Sequence, residues 1–138
     1  MKTFAPTTYA VGREKVKEYA LAVGETSPLH LDHRAAREAG FADVVAPPMF
    51  AVVFSAPAVG PALFDPEVGM DFARMVHGGQ RFEWGPLVVA GDEIETVARF
   101  DGTEAKGAMT FFRFTTTSTR LSDGAVVATG TWTNIVRG

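Results

Sequence analysis

The segment Tyr19–Phe54 reads YALAVGETSPLHLDHRAAREAGFADVVAPPMFAVVF. Glu25 to His30 bring a carboxylate (Glu25), a hydroxyl pair (Thr26, Ser27), a rigid Pro28 and an imidazole (His30) into six residues, and an apolar segment started by Pro47 and Pro48 follows. Nowhere else in the chain do reactive polar groups and a hydrophobic wall lie so close together. Any chemistry is therefore expected here.

Local rules extend outward from this segment. On its N-terminal side Val16, Tyr19, Ala20 and Val23 recur at i, i+3, i+4 and i+7, which predicts an amphipathic helix over 12–23. Gly24, free to adopt a left-handed conformation, ends it. Residues 3–10 (TFAPTTYA) read as a first strand or extended arm. Residues 25–31 read as a loop, and Asp32 as the N-cap of a small helix over 33–39 closed by Gly40. Pro47 and Pro48 suit a first helical turn, where no intrahelical N–H bond is needed, so a third helix is expected from Met49 to about Ala58. It is apolar on every side, which predicts a buried helix, and it is expected to break before Pro57 or Pro61.

Beyond residue 74 the pattern changes to alternation. Residues 75–84, 92–104, 108–121 and 125–136 are rich in β-branched and aromatic types and are separated by turn residues, Ser122-Asp123-Gly124 marking a tight hairpin. Strands that follow helices imply an α+β class, with a curved antiparallel sheet covering the apolar helix. The 138 residues suffice for one domain, expected to span 1–138.

Composition excludes several classes. Apolar residues make up 46% and charged residues 21% of a chain with net charge −3, and its 13 Lys and Arg form no stripe, so no nucleic-acid partner is expected. The absence of cysteine removes disulfides and thiolate metal sites. The uncharged span 44–64 approaches the length of a membrane helix, but its prolines and small residues fit a buried helix better. No membrane association is expected, and a cytoplasmic location is.

The order Gly24-Glu25-Thr26-Ser27-Pro28-Leu29-His30, followed by Ala36, resembles the signature of the MaoC-like dehydratases and R-specific enoyl-thioester hydratases. Gly40-Phe41 and Val44–Met49 resemble the lead into that family's central helix, and Val88–Asp92 resembles one of its turns. The resemblance implies a hot-dog fold, a sheet curled round that helix. It also implies reversible dehydration of a 3-hydroxyacyl thioester of CoA or acyl carrier protein, with Glu25 and His30 as the acid/base pair and Ser27 orienting or donating to substrate. The start of the central helix (Pro47, Pro48, Met49, Phe50) would hold the thioester. Such domains usually join sheets edge to edge, so a homodimer or a heterodimer with another hot-dog chain is implied. No cofactor is.

Two departures from the family pattern carry consequences. The family's Asp and Asn are Glu25 and Ser27 here, and a displacement of about 1 Å can cost on the order of 100-fold in rate. Its helix usually begins His-Gly-Met, whereas Pro47-Pro48-Met49 stands here, and Pro48 has no N–H to give an oxyanion; one such donor is worth roughly 100- to 1000-fold. Pro-Pro at this place, with the run Tyr9–Tyr19, resembles the N-terminal dehydratase-domain branch, including acyl-binding subunits of heterodimeric dehydratases. An alternative is therefore a non-catalytic acyl-chain-binding subunit, and a more distant one an acyl thioesterase. Structural readings stand beside these: His30 as a capping residue, His33 and His77 as solvated or structural. No histidine pair has the helical spacing of a zinc site, so no metal is expected. Gly78-Gly79 reads as a strand bulge, or as a place where a ligand or second backbone approaches closely. The small residues of the central helix read as core packing, or as one wall of an acyl tunnel.

Overall fold

The computed structural model describes residues 1–138. In chain order come β1 (Lys2–Thr3), β2 (Thr7–Ala10), α1 (Arg13–Ala22), α2 (Pro28–Leu31), α3 (His33–Glu38), a 3₁₀ turn (Pro48–Phe50) running into α4 (Ala51–Leu63), and a second 3₁₀ turn (Phe72–Arg74). Four long strands follow: β3 (Met75–Trp84), β4 (Glu93–Lys106), β5 (Met109–Arg120) and β6 (Val126–Arg137). The antiparallel sheet runs β1-β4-β5-β6-β3, and β2 also pairs with β4. It curls round α4, the α+β hot-dog arrangement expected.

The local signals set the element ends. Gly24 and Gly40 take φ of 77° and 96° after α1 and α3, a conformation that β-carbons oppose. Asp32 caps α3, its Oδ1 accepting from the Arg34 N–H at 2.9 Å. Residues 3–10 form two short strands and not one, because Pro6 lies between them and lacks the N–H that would continue the ladder on β4. Residues 28–31 are a helical turn and not loop, with Pro28 in its first position and Ser27 Oγ accepting from the Leu29 N–H.

The central helix corrects two expectations. It runs through Pro57 and Pro61 to Leu63 instead of breaking. The two prolines stand four residues apart on the outward side of the helix, and the carbonyls they leave without an N–H partner, of partly exposed Val53 and exposed Pro57, fall on that side too, away from the buried face. The helix is also not covered all round. Phe54, Ser55, Ala58, Val59 and Ala62 are buried, while Pro57 and Pro61 face outward.

Inward-facing residues of the strands, among them Ile94, Thr96, Ala98, Phe112, Phe114, Thr116, Ala128 and Trp132, complete the core. Several of its polar groups pair with one another: Thr96 and Ser118 hydroxyls lie 2.7 Å apart, and the Trp132 indole donates to Thr116 Oγ1 at 3.0 Å. Bulges fall where the register shifts, at Asp101, Gly78 and Val127. The last turns Val127 inward beside α4, as bulges re-aim side chains.

Candidate active site

Glu25, Ser27 and His30 sit on the connection from α1 through α2. Gly24 turns the chain after α1, Ser27 caps α2, and the helical turn begun by Pro28 aims the His30 ring back at the body of the protein. His30 Nδ1 lies 2.6 Å from the Val45 carbonyl. A carbonyl only accepts, so Nδ1 carries the hydrogen and, in the neutral ring, Nε2 holds the lone pair. Nε2 faces Glu25 Oε2 at 4.0 Å. Neutral imidazole and carboxylate are then two acceptors set side by side, and one water or hydroxyl placed beside them, about 2.8 Å from each, can donate to both. The His30 side chain is 15% exposed and that of Glu25 40%, so the pair opens to solvent on the carboxylate side.

Val45 is itself held on both sides. Its N–H donates to the Leu29 carbonyl at 2.8 Å, and its neighbours bond across to the β3–β4 connection, Ala46 N–H to the Val88 carbonyl and Ala90 N–H to that of Val44. One residue further on begins an apolar cleft of about 330 Å³. Pro47, Pro48, Ala51 and Phe54 form one wall, Trp84 to Val88 the other, and Val127 contributes beside them. The Trp84 indole closes the cleft at the helix start, donating to the Pro48 carbonyl at 2.8 Å. Gly85 admits no side chain, because a β-carbon would collide with the Val126 carbonyl. Of the first residues of the helical segment Pro47 and Pro48 lack an N–H, and that of Met49 has no protein partner.

The candidate residues thus divide. Glu25, Ser27 and His30 are brought together on one loop, and Pro47 and Pro48 line the neighbouring cleft. Met49 is exposed and does not line it. Phe50 is fully buried and leaves a ligand no surface; it packs beneath the helix start, with the Tyr19 ring edge-on at 5.4 Å. Gly78 and Gly79 form a bulge on β3, where Ile135 occupies the space of a Gly78 side chain. His33 and His77 stand away from the pair, His77 Nε2 lying 3.1 Å from Gln80 Oε1. No group of three or more His, Asp or Glu is placed to hold a metal. No helix is long and apolar enough to cross a membrane.

Sequence reasoning missed the cleft's second wall and the grip on His30. Trp84-Gly85-Pro86-Leu87-Val88 carried a usable signal, since connections between strands are normally polar and this one is apolar. Arg13 and Asp43 form a bidentate pair, Nε to Oδ1 at 3.0 Å and Nη2 to Oδ2 at 2.8 Å, and Asp43 Oδ1 also accepts from the Val44 N–H.

The hydrogen bonds from Arg13 hold the Asp43 carboxyl down at about 2, from an ordinary 3.8. A depressed carboxylate stabilises the fold above its unfolded value and loses that contribution as pH falls through the folded one. With Asp43 only 15% exposed, the contribution is roughly 2 kcal/mol, present above about pH 4 and disappearing toward pH 2. Urea unfolding at pH 6 and pH 2.5 checks this. The stability difference between the protein and Asp43→Asn is expected to shrink at the lower pH, and an unchanged difference would show that the pair contributes nothing.

Comparison with known proteins agrees with this fold. A family model described as FAS1-like, dehydratase domain region, matches residues 2–129. A UPF0336 protein of Saccharopolyspora erythraea is 40% identical over 138 residues, covering 99% of this chain and 88% of that protein. A solved MaoC-like dehydratase superposes with a TM-score of 0.84 at 30% identity, over 97% of this chain and 41% of that one. The C-terminally truncated HadBC (3R-hydroxyacyl-ACP dehydratase) complex of Mycobacterium tuberculosis superposes at 0.79 and 24% identity, over 97% of this chain and 94% of its counterpart, a likeness of fold.

Proposed function

The chain belongs to the family of FAS1-like dehydratase domain regions, with the MaoC-like hot-dog fold, and on that premise we propose that it interconverts a 3-hydroxyacyl thioester and the corresponding enoyl thioester of CoA or acyl carrier protein. One observation carries this reading: His30 Nε2, bare because Nδ1–H is engaged by the Val45 carbonyl, lies 4.0 Å from the Glu25 carboxylate, close enough for one hydroxyl seated beside them to bond both. In the hydration direction the water seated there adds its oxygen to C3 and leaves one proton with the pair, and the pair returns one proton to C2. Dehydration runs the same steps backward. With both groups free of a transferable proton at the start, the proton taken from the water is the one the pair passes on to C2. The acyl chain enters the apolar cleft between the helix start and Trp84 to Val88. The Met49 N–H, the first free donor of that helical segment, serves the thioester oxygen where Pro48 has none. Ser27 keeps its hydroxyl proton to donate, because its oxygen accepts from Leu29.

A second reading is an acyl-binding subunit that works beside a catalytic hot-dog chain, favoured by Pro48 and the uncovered stripe of α4. β3, free along one edge of the sheet, is the place for such a partner, identical or not. The two-chain HadBC neighbour supports a paired arrangement. Loss of enoyl absorbance from a short enoyl-CoA, mixed with the protein alone, separates the readings. The expected result is a fall without release of free thiol. If no chain length is hydrated, while a saturated acyl-CoA still shifts the fluorescence of Trp84, the binding-subunit reading takes its place.

A further inference from the structure

We propose, resting on the hydratase reading above, that Arg13 and Asp43 are positioning residues that hold His30 in its Nδ1–H form. Neither is part of the Glu25–His30 pair, and neither lines the apolar cleft. Their connection to His30 runs through short, continuous contacts. Arg13, at the first turn of α1, binds both oxygens of Asp43. Asp43 Oδ1 also takes the Val44 N–H at 2.8 Å, so the carboxylate joins the guanidinium to the backbone of Val44. Val45, the next residue, has its N–H on the Leu29 carbonyl and its own carbonyl on His30 Nδ1.

The segment between α3 and the first 3₁₀ turn has no regular structure of its own beyond a single bridge, Val45 with Val89. That bridge fixes the spacing of Val44 and Ala46 against the β3–β4 connection, but it turns the Val45 carbonyl away from that connection, toward His30. On its other side the segment is anchored by the Val45 N–H on the Leu29 carbonyl and, two residues earlier, by the ion pair of Asp43 with α1. A two-point guanidinium–carboxylate contact restrains orientation as well as distance, which a lysine contact does not. If the pair is loosened, the carbonyl moves, the Nδ1–H bond lengthens, and the ring is free to place its hydrogen on Nε2. That tautomer presents a donor to Glu25, and the pair no longer holds a water with both of its hydrogens accepted.

The test reads His30 directly. The chain has three histidines, so the ring nitrogens of each can be followed by ¹⁵N correlation spectra of the labelled protein. In the unaltered protein the neutral His30 ring is expected to show a protonated Nδ1 and a bare Nε2. In Asp43→Asn the Nε2–H form is expected to appear, with kcat for enoyl-CoA hydration falling on the order of 10- to 100-fold and KM moving less than about threefold. Arg13→Lys, milder toward folding, keeps the charge without the fork and is expected to fall between the two. Unchanged His30 spectra in both folded variants would overturn the proposal, and so would a changed tautomer with kcat intact. If the unaltered protein hydrates no enoyl thioester while the tautomer still follows Asp43, the hydratase reading fails and the positioning of His30 stands.

Discussion

His30→Ala is expected to slow hydration of a short enoyl-CoA by about 100- to 10,000-fold, the range of a lost acid/base group. The loss should appear in kcat, because the acyl chain's cleft lies beyond Ala46 and keeps its walls. Some stability goes with it. The Val45 carbonyl is buried and loses its partner, which costs about 1–3 kcal/mol, so rates should be compared well below the melting temperature of each protein. Glu25→Ala provides the cleaner comparison, since the Glu25 side chain is 40% exposed and its carboxylate makes no hydrogen bond within the chain. If the two groups act on one shared water, removing either disables the same step, and the double variant is expected to be scarcely slower than the worse single one. Multiplied losses would mean that each residue acts by itself, which the 4.0 Å gap between them does not favour.

The loop proposed to be reactive was legible because its residues and the devices that shape it are local. Glu25, Ser27 and His30 lie within six residues, and the devices that shape them, Gly24, Pro28 and Asp32, act through their own φ angles and side-chain caps. What orients His30 was not legible, because its partner is a backbone carbonyl 15 positions away and a carbonyl leaves no trace in residue type. The sheet shows the same division. Alternation located all four long strands, yet β3 pairs with β6 and not with β4, an order set by the crossover of the β3–β4 connection and not by any single strand's pattern. Pro57 and Pro61 misled for a third reason. Proline's cost in a helix includes an unpaired carbonyl, and that part of the cost depends on whether the carbonyl faces water, which only the packed structure decides.

Phe50→Ala is expected to be the most damaging single truncation for stability, at about 3–5 kcal/mol out of the roughly 5–15 typical of a folded domain. The size follows from what surrounds the ring. Phe50 is fully buried, and three aromatic side chains from β2, α1 and α4 pack on it: Tyr9 at 6.2 Å, Tyr19 at 5.4 Å and Phe54 at 6.3 Å between ring centres. A cavity here closes poorly, because the backbone just before it is stiffened by Pro47 and Pro48, and the facing rings belong to separate elements. Burial raises the titration of both Tyr9 and Tyr19 hydroxyls above the ordinary range. Water admitted beside them should move both back toward it, which gives a spectroscopic signal independent of the unfolding curve. The same ring supports the turn that carries Pro48 and Met49, so a folded variant is also expected to bind acyl-CoA more weakly through the loosened cleft wall. A loss below about 1 kcal/mol, with both tyrosines unmoved, would mean that the neighbouring elements collapse onto the vacated space. The helix start would then owe its position to Trp84 on the Pro48 carbonyl and not to the aromatic cluster beneath it.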